Sequence, residues 1–469
     1  MRIRSVRRLS ASALLSLVTV MMLAGTCPST QARAGTRAST FTLANGLVGV
    51  VIPDRRAPVV THMLWYRVGS ADEPRGISGI AHFLEHLMFK STDGIPSGEF
   101  SKIVGRLGGQ DNAFTSQDAT GYFQRISKDR LKQMMEMEAD RMVNLRLTEQ
   151  EVATERRVVL EERRTRVENN PGSILGEQMS SVLYYSHPYG MPVIGWEHEI
   201  AQLSREDALT FYKRHYAPNN VILVVSGDVT PEEVKALAEA TFGKIPANPD
   251  VKPRVRPKDP EGRSARRVEL VDERAGKASL NRYYLAPSYR TAAAGEAEAL
   301  DLLMKIAASG ATSRLYRRLV MADKVASSAG GWYSGGGMDS GTLGFYAVAA
   351  DGVGLDKVEA AIDAVLTEVR AGGVTEAELE RAKKLYLADY IYESDNQSTL
   401  ARRYGWALVV GRTIADVEEW PERIAKVTVA DIGKAAERHF DIRRSVTGIL
   451  VPRASDVDVA RKAGTPGRS

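Results

Sequence analysis

Apolar runs of strand length and segments of helical period alternate along most of this chain. The run at 221–227 is apolar at nearly every position, which predicts a strand buried on both faces. Residues 112–126 instead alternate between apolar and polar positions, as a half-buried strand does. Strands and helices that are mixed in this way predict an α+β fold. The pattern predicts strands at 48–53, 59–68, 112–126 and 221–227, and helices at about 128–144 and 148–168.

A longer pattern repeats with an offset of 224 residues. Residues 199–216 align without gaps to residues 423–440, and both segments end in an Arg-His pair followed by an aromatic residue. A strand-like segment follows each of them, at 221–229 and at 445–452. Two unrelated helix-strand units would not share such a match, so the sequence predicts two similar halves that arose by internal duplication. The matched pairs include Trp196 with Trp420, Asp207 with Asp431, and the expected helix N-caps Ser204 and Thr428.

The composition changes between the two halves. Residues 246–266 are rich in Pro, Lys, Arg and Asp and contain few apolar residues, which indicates a linker. We therefore expect an N-terminal domain at 35–245, a C-terminal domain at 267–455 and a tail at 456–469. The chain is too long for one ordinary domain, which agrees with this division.

The first 34 residues have the pattern of a secretory signal peptide. Four arginines precede an apolar run at about 11–24, and the small-x-small sequence Ala32-Arg33-Ala34 follows. The apolar run is shorter than the ~20 residues that a membrane-spanning helix needs. We therefore expect a signal peptide at 1–34, export to the periplasm, and no transmembrane anchor once the signal has been removed.

Removal of this segment changes what the composition implies. The whole chain has a formal net charge of +5, but residues 1–34 contain five arginines and no acidic residue, so the remaining chain has no formal net charge. The composition therefore does not support a nucleic-acid partner. Cys27, the single cysteine, also lies in this segment, which excludes disulfides, a cysteine nucleophile and thiolate metal ligands from the mature chain.

Candidate chemistry concentrates at residues 79–89, which predict a buried helix. His82 and His86 are four residues apart, so their imidazoles lie on one helix face and can bind one Zn²⁺ ion. Glu85 lies on nearly the same face and has the carboxylate that a zinc hydrolase uses to activate water. The alternative is a pair of hydrogen-bonded core histidines beside an unrelated glutamate, but His-x-x-Glu-His is a known zinc motif. The second half lacks this motif, and its sole histidine is His439.

A catalytic zinc ion usually takes three protein ligands and keeps one position open, so a third ligand is needed. Thr148 begins a predicted helix with a capping box, and Glu155 and Glu162 lie two turns apart on one face of that helix. Spacing alone does not choose between Glu161 and Glu162, and it does not bring either of them to the metal. From spacing alone, a charged face in contact with solvent is the simpler interpretation.

The motifs taken together carry a family resemblance. The chain resembles the pitrilysin/insulinase family of zinc peptidases (M16), and within it the shorter mitochondrial-processing-peptidase-like branch (M16B). The resemblance extends over nearly all of the chain that follows the predicted signal peptide. It rests on motifs at Asn45-Gly46, 79–92, 112–115, 155–162, 187–190, 216–220 and 313–316.

The resemblance implies a complete site for one Zn²⁺ per chain. In the family the third ligand is a glutamate 76 residues after the second histidine, which corresponds to Glu162 here, and a supporting glutamate seven residues earlier corresponds to Glu155. His82, His86 and Glu162 would then be the metal ligands, with Glu85 and Glu155 as the catalytic residues beside them. Glu85 would take a proton from the water molecule that zinc activates and pass it to the leaving amine.

The resemblance also implies the architecture and the mode of substrate binding. Two similar α/β-sandwich halves would form half of a clam-shell chamber that admits peptides and excludes folded proteins. Asn112, Ala113 and Phe114 would belong to the edge strand to which a substrate peptide adds by main-chain hydrogen bonds. The expected function is a zinc-dependent endopeptidase that hydrolyses peptides or unfolded segments.

Two expected substrate contacts are missing from the second half. Active members of the family carry an Arg and a Tyr, seven residues apart, and the alignment places Val320 and Ser327 at these positions. The resemblance therefore favours a heterodimer with a homologous metal-free subunit that supplies the Arg and the Tyr, with a homodimer less favoured. The alternative function is a catalytically weak or inactive peptide-binding subunit, although the complete set of zinc-site residues argues against it. Some other class of zinc hydrolase is disfavoured by the internal duplication.

Overall fold

The computed structural model describes residues 38–452. The predicted signal peptide at 1–34 and the predicted tail at 456–469 lie outside these residues. The described part contains two main sheets, one in each half of the chain, and a short two-stranded sheet. The strands of the first half are β1 (Ser39–Thr42), β2 (Val48–Pro53), β3 (Val59–Tyr66), β4 (Ser91–Thr92), β5 (Gln110–Thr115), β6 (Thr120–Ser127), β7 (Leu145–Arg146) and β8 (Val221–Gly227). The strands of the second half are β9 (Arg266–Asp272), β10 (Ser279–Ala286), β11 (Ala326–Ser334), β12 (Gly341–Ala349) and β13 (Ser445–Pro452).

The two main sheets share the topology of five strands. The order is β1-β2-β8-β3-β6-β5 in the first sheet and β11-β12-β10-β13-β9 in the second. β2 pairs with β8 in parallel, as β9 does with β13, and the other neighbouring strands of these sheets are antiparallel. When the second sheet is followed from β9, its five strands correspond to the last five of the first sheet. The prediction of a mixed fold with two similar halves is therefore confirmed.

Helices cover both sheets. The helices of the first half are α1 (Ile80–Leu87), α2 (Glu99–Arg106), α3 (Leu131–Val143), α4 (Glu149–Arg163), α5 (Pro171–Leu183), α6 (Glu197–Ile200), α7 (Arg205–His215) and α8 (Pro231–Ala240). The helices of the second half are α9 (Glu296–Ala307), α10 (Arg314–Tyr316), α11 (Leu355–Arg370), α12 (Glu376–Ser394), α13 (Gln397–Val409), α14 (Ile414–Glu418), α15 (Trp420–Lys426) and α16 (Val429–His439). Between residues 38 and 452, no helix combines the length and the apolar character needed to cross a bilayer.

The sequence repeat encodes the same local structure twice. The side chain of Ser204 accepts a hydrogen bond from the backbone N–H of Asp207 at the start of α7. Thr428 accepts the equivalent bond from Asp431 at the start of α16, and both sites form complete capping boxes. Both N-cap predictions are therefore confirmed, and each capped helix leads into an equivalent strand, β8 or β13.

The prediction of a single strand at 112–126 was wrong, because this segment contains parts of two strands. β5 ends at Thr115 and β6 begins at Thr120, and a turn joins them. The backbone N–H and the hydroxyl of Ser116 both donate to the carbonyl of Ala119, at 2.8 and 2.9 Å. The turn contains neither glycine nor proline, the strongest local turn signals, and the prediction passed over the weaker signals of Ser116 and Asp118.

Each half supplies a helix that covers one face of the sheet of the other half. α13 packs on β3 and β8 of the first sheet, and α5 packs on β9 and β13 of the second. Glycine permits the close approach at both crossings, since a β-carbon at Gly405 would collide with Trp65 and one at Gly448 would collide with Met179. This exchange of helices joins the two halves through apolar contacts.

The segment at 246–265 contains no helix or strand, but it is bound to both halves. The side chain of Arg256 is only 4% exposed, and its guanidinium lies 2.9 Å from Asp72 and 3.0 Å from Asp339, with a third ion pair to Asp118. Asp72 and Asp118 belong to the first half of the chain, whereas Asp339 belongs to the second. Because a buried charge is stable only when it is paired, this network fixes the segment between the halves.

Candidate metal centre

The histidine motif lies on α1, which is buried between the first sheet and the helices α4 and α7. Gly79 precedes the helix with a φ of 85°, a left-handed conformation that favours glycine. The Glu73 carboxylate accepts hydrogen bonds from the backbone N–H groups of Gly79 and Ala81, each at 2.9 Å, and so satisfies donors at the helix start. The Nε2 atoms of His82 and His86 both lie within 4 Å of the carboxylate of Glu162, in the last turn of α4, so both imidazoles point toward that helix.

Three donor groups converge in this place. The Oε2 atom of Glu162 lies 3.3 Å from His86 Nε2 and 3.7 Å from His82 Nε2. A tetrahedral zinc ion with bonds of ~2.0–2.2 Å separates its ligand atoms by roughly 3.3–3.5 Å. Two imidazole nitrogens and one carboxylate oxygen are also a usual donor set for catalytic zinc. The residues therefore fit zinc in chemistry, and their donor atoms all lie within 4.8 Å of one another. They form the single cluster of this kind within residues 38–452.

The structure distinguishes Glu161 from Glu162, which spacing in the sequence could not do. Glu162 faces the histidines through Oε2, and its Oε1 lies 2.9 Å from the guanidinium of Arg166. The side chain of Glu161 is 63% exposed and pairs with Arg164 at 2.7 Å. Of the two glutamates, Glu162 alone contributes to the donor cluster.

Glu155 holds the ring of His86 from the side opposite Glu162. Its Oε1 lies 2.8 Å from His86 Nδ1, and its Oε2 lies 2.5 Å from Lys90 Nζ. Burial raises the pKa of Glu155, but the hydrogen bonds from His86 and Lys90 outweigh this effect and bring the pKa below its usual value. A charged Glu155 that accepts from Nδ1–H leaves the lone pair of Nε2 directed at the donor cluster.

The protonation of the histidines follows from their surroundings. Burial lowers the pKa of His82 to about 3, and the charges of His86 and Arg166 add to this effect. His82 is therefore neutral at neutral pH, as a metal ligand must be. Burial also acts to lower the pKa of His86, but the hydrogen bond to Glu155 and the charges of Glu155 and Glu162 raise it above its usual value. These carboxylates make the cluster attractive to a cation.

Glu85 is 9% exposed and lies beside the donor cluster without being one of the three clustered residues. Burial raises the pKa of Glu85, although a hydrogen bond from Thr115 opposes this shift in part. The Thr115 hydroxyl donates to Glu85 Oε2 at 2.5 Å. The other oxygen, Oε1, has no hydrogen-bond partner in the described part of the chain, so it can accept a bond from a water molecule.

Asn112, Ala113 and Phe114 lie on β5, an edge strand that pairs only with β6. The ring of Phe114 packs edge to face against Trp65, with the ring centroids 4.9 Å apart. The backbone N–H of Ala113 donates to the side-chain oxygen of Asn112 at 2.8 Å, so it is not used in the ladder with β6. This N–H therefore lies on the free edge of the sheet, where a further strand could bind.

The positions of the missing Arg and Tyr are occupied by side chains that have structural contacts of their own. Val320 is partly buried and packs against the apolar core of the second half, and Ser327 is exposed on β11. Three nearby residues are of the required types but not at the required spacing: Arg317, Arg318 and Tyr333. Arg317 is exposed, and the other two are engaged elsewhere. Arg318 pairs with Asp323 at 2.6 Å, and the hydroxyl of Tyr333 donates to the carbonyl of Pro287 at 2.6 Å.

Three residues that contact the site were not singled out from the sequence as part of it: Lys90, Thr115 and Arg166. Arg166 follows Glu162 by four residues, and this helical spacing is a signal that could have indicated the pair. Lys90 follows α1 and contacts Glu155 on α4, whereas Thr115 comes from β5 and contacts Glu85 on α1. Neither pair is close in sequence, so no local spacing indicated it.

The sequence matches two family profiles. Residues 49–196 match the profile described as insulinase, peptidase family M16, and residues 202–386 match the one described as the peptidase M16 inactive domain. His82, Glu85, His86 and Glu162 all lie within the first match.

Two relatives cover most of the chain. The zinc protease PqqE of Helicobacter pylori is 33% identical over 88% of this chain and 92% of its own length. A probable mitochondrial-processing peptidase subunit beta of Arabidopsis thaliana is 25% identical over 87% of this chain and 77% of its own length. The resemblance to processing peptidases thus extends along the chain and is not limited to the histidine motif.

Solved structures show the same fold. The crystal structure of a protease from Helicobacter pylori matches with a TM-score of 0.83 and 31% identity, over 89% of this chain and 100% of that chain. The periplasmic protease PqqL from Escherichia coli matches with a TM-score of 0.76 and 22% identity, over 92% of this chain and 49% of that chain. At this identity the second likeness shows the fold alone. This chain corresponds in fold to about one half of that longer protein.

Proposed function

Because the chain belongs to the M16 family of peptidases, we propose that it is a zinc-dependent endopeptidase that hydrolyses peptides or unfolded segments in an enclosed chamber. Family membership and the similarity to named zinc proteases support a metallopeptidase. The observation that carries the proposal of a zinc-dependent endopeptidase is the convergence of His82, His86 and Glu162 beside the buried carboxylate of Glu85. Metal-assisted hydrolysis requires a set of metal ligands and a neighbouring general base.

In this proposal His82, His86 and Glu162 hold one Zn²⁺ per chain. Lys90 and Glu155 hold the imidazole of His86 so that its Nε2 lone pair points at the metal position. Zinc, when bound there, supplies a Lewis acid that polarises the scissile carbonyl and lowers the pKa of a water molecule.

Glu85 moves the proton. Thr115 holds its Oε2, and the unpartnered Oε1 accepts a proton from the attacking water molecule. Glu85 then donates this proton to the leaving amine, so that one water molecule is added across the peptide bond. Burial raises the pKa of Glu85, which favours a carboxyl group that holds the proton between these two steps.

The free edge of β5 provides a place for an extended substrate. A peptide can add there as a further strand, with main-chain hydrogen bonds to the segment that contains Asn112, Ala113 and Phe114. The orientation of the Ala113 N–H supports this role. Binding of this kind selects extended segments and is largely independent of their sequence.

Cleavage of a mixture of short unstructured peptides tests the proposal. Wild-type protein should cleave them, lose activity to a chelator and recover it with added zinc. Glu85→Gln should keep zinc and lower kcat by about 10²–10⁴-fold, because an amide cannot take a proton. Glu161→Gln is a matched control, since it removes the same charge from an exposed position and should change kcat less than about two-fold. Near-normal turnover by zinc-loaded Glu85→Gln would exclude Glu85 as the base.

A second candidate function, that of one subunit of a heterodimer, rests on Val320 and Ser327. These two residues occupy the positions at which the family resemblance leads us to expect an Arg and a Tyr. We propose that a homologous metal-free subunit supplies these two side chains in a heterodimer. Peptide cleavage should then be weak for the isolated chain and strong after a sister subunit is added. Robust zinc-dependent cleavage by the chain alone, as a monomer or homodimer, would contradict the heterodimer. Binding of peptide without cleavage under both conditions would instead favour the peptide-binding subunit.

The place of action is proposed from the sequence. We propose export to the periplasm, which rests on the arginine-rich start and the apolar run within residues 1–34. N-terminal sequencing of the protein recovered from the periplasm should give Gly35 as its first residue. Recovery of the full-length chain from the cytoplasm alone would contradict the proposal.

A further inference from the structure

Thr115 connects the free edge of the first sheet to the carboxylate of Glu85. It is the last residue of β5, and its hydroxyl donates to Glu85 Oε2 at 2.5 Å. The two residues are 30 positions apart in sequence and lie on different elements, so packing of α1 on the sheet creates this contact. No other hydrogen bond within residues 38–452 holds the Glu85 carboxylate.

We propose that Thr115 is a positioning residue that holds Glu85 in its working orientation, and that a peptide bound at the edge of β5 strengthens this hold. This inference rests on the proposed function, because it assigns Glu85 the role of base. Thr115 itself does not touch the reacting atoms in this scheme. It acts through the one carboxylate oxygen that it holds.

The hydrogen bond from the Thr115 hydroxyl to Glu85 supports the first part of the proposal, that Thr115 orients the Glu85 carboxylate. A glutamate side chain has three rotatable bonds, so a carboxylate without a fixed partner can adopt several orientations. The hydroxyl of Thr115 fixes Oε2 and leaves Oε1 free, which separates the held oxygen from the one that accepts a proton. A hydrogen bond to a charged carboxylate is among the stronger hydrogen bonds in proteins.

The position of the Thr115 main chain on the free edge of β5 supports the second part of the proposal, that peptide binding at this edge acts on Glu85. The N–H of Ala113 lies on the free edge, because it donates to Asn112 and not to β6. Main-chain groups in an antiparallel strand alternate between its two sides with a period of two residues. The main-chain groups of Thr115 therefore lie on the same free edge as those of Ala113. A peptide that adds to this edge binds the main chain of the residue whose side chain holds Glu85.

Three variants test the positioning role with steady-state kinetics on one peptide. Thr115→Val keeps the shape and the strand preference but removes the hydroxyl, and it should lower kcat about 10- to 100-fold with little change in KM. Thr115→Ser restores a hydroxyl and should recover most of kcat. Thr40→Val makes the same change at an exposed position of β1 and should match wild type. Unchanged kcat in Thr115→Val, a change in KM alone, or failure of serine to rescue would each overturn the proposal.

Peptide N-methylation tests the dependence on edge binding. Methylation of one substrate amide at a time removes single main-chain donors, and at the amide that pairs with β5 it should lower kcat in the wild type. The same peptide should lose much less kcat with Thr115→Val, because both changes act through one hydrogen bond. Additive losses would refute the dependence.

A readout without turnover separates this inference from the proposed function. Crystal structures of the zinc-free wild type and of Thr115→Val should show one ordered Glu85 orientation in the first and a turned or disordered side chain in the second. An identical Glu85 in both structures would overturn the positioning role. If wild-type protein with zinc cleaves no peptide, either alone or with a sister subunit, the proposed function fails. If wild type cleaves and Thr115→Val cleaves equally well, only this inference is contradicted.

Discussion

Glu155→Gln should weaken zinc binding about 10- to 100-fold, although Glu155 is not one of the three clustered donors. Its two oxygens lie 2.8 Å from His86 Nδ1 and 2.5 Å from Lys90 Nζ. When His86 binds a metal through Nε2, its Nδ1 carries a proton, so both neighbours of Glu155 are hydrogen-bond donors. The site therefore requires two acceptors, and a carboxylate provides them.

A glutamine amide has one acceptor and one donor, so each of its two orientations fails. If the amide oxygen faces His86, the NH₂ group faces the ammonium of Lys90, and two donors meet. If the amide turns, its NH₂ group faces Nδ1 and favours the tautomer with the proton on Nε2, which cannot bind a metal. Loss of a hydrogen bond to a charged group costs about 1.5–3 kcal/mol, which corresponds to a decrease in affinity of about 10- to 150-fold.

A competition titration against a chromophoric zinc chelator at fixed pH measures this effect. Glu161→Gln serves as the control, because it makes the same substitution on the neighbouring exposed surface and should bind zinc within about two-fold of wild type. The double variant Lys90→Met/Glu155→Gln removes the opposing ammonium and should bind zinc more tightly than Glu155→Gln alone. Wild-type affinity in Glu155→Gln would refute the argument that Glu155 fixes the tautomer of His86.

Two further predictions concern the third ligand and the connection between the halves. Glu162→Gln should weaken zinc binding more than Glu155→Gln, by more than about 100-fold, and metal analysis that finds tightly bound zinc would remove Glu162 from the ligand set. Arg256→Met should lower the free energy of unfolding by about 3–5 kcal/mol in a urea titration, because it leaves three aspartates without their buried partner. Arg106→Met, which breaks an exposed pair, should cost less than about 1 kcal/mol, and equal losses in the two variants would contradict the role of Arg256.

The sequence by itself determined the features that depend on short spacings. Helical periodicity sufficed to put His82 and His86 on one face, and the structure places both on α1. Ser204 and Thr428 were recognisable as N-caps because a capping box involves only four consecutive residues. The ungapped repeat indicated two similar halves, and the two sheets have matching topologies. In each case the physical cause lies within one element or its immediate neighbour.

Composition was a weaker guide where side chains find distant partners. The segment at 246–265 is polar enough for a solvated linker, yet the side chain of Arg256 is only 4% exposed, because it pairs with three aspartates from distant parts of the chain. The hairpin within 112–126 closes through Ser116 and Ala119, with no glycine or proline in the turn. Residues 115–118 are all polar, and the prediction of one strand did not take this interruption of the alternation into account.

Only the tertiary structure decided which side chains meet across elements. Glu161 and Glu162 are adjacent, and the rotation of α4 against α1 brings one of them to the histidines and leaves the other exposed. The same packing joins Lys90 to Glu155 and Thr115 to Glu85. A sequence specifies the spacing of donors along one helix, but the distance between donors on different elements depends on the register and angle at which those elements pack. For this reason, the helix face that carries His82 and His86 could be identified from the sequence, whereas the contacts that orient these residues could not.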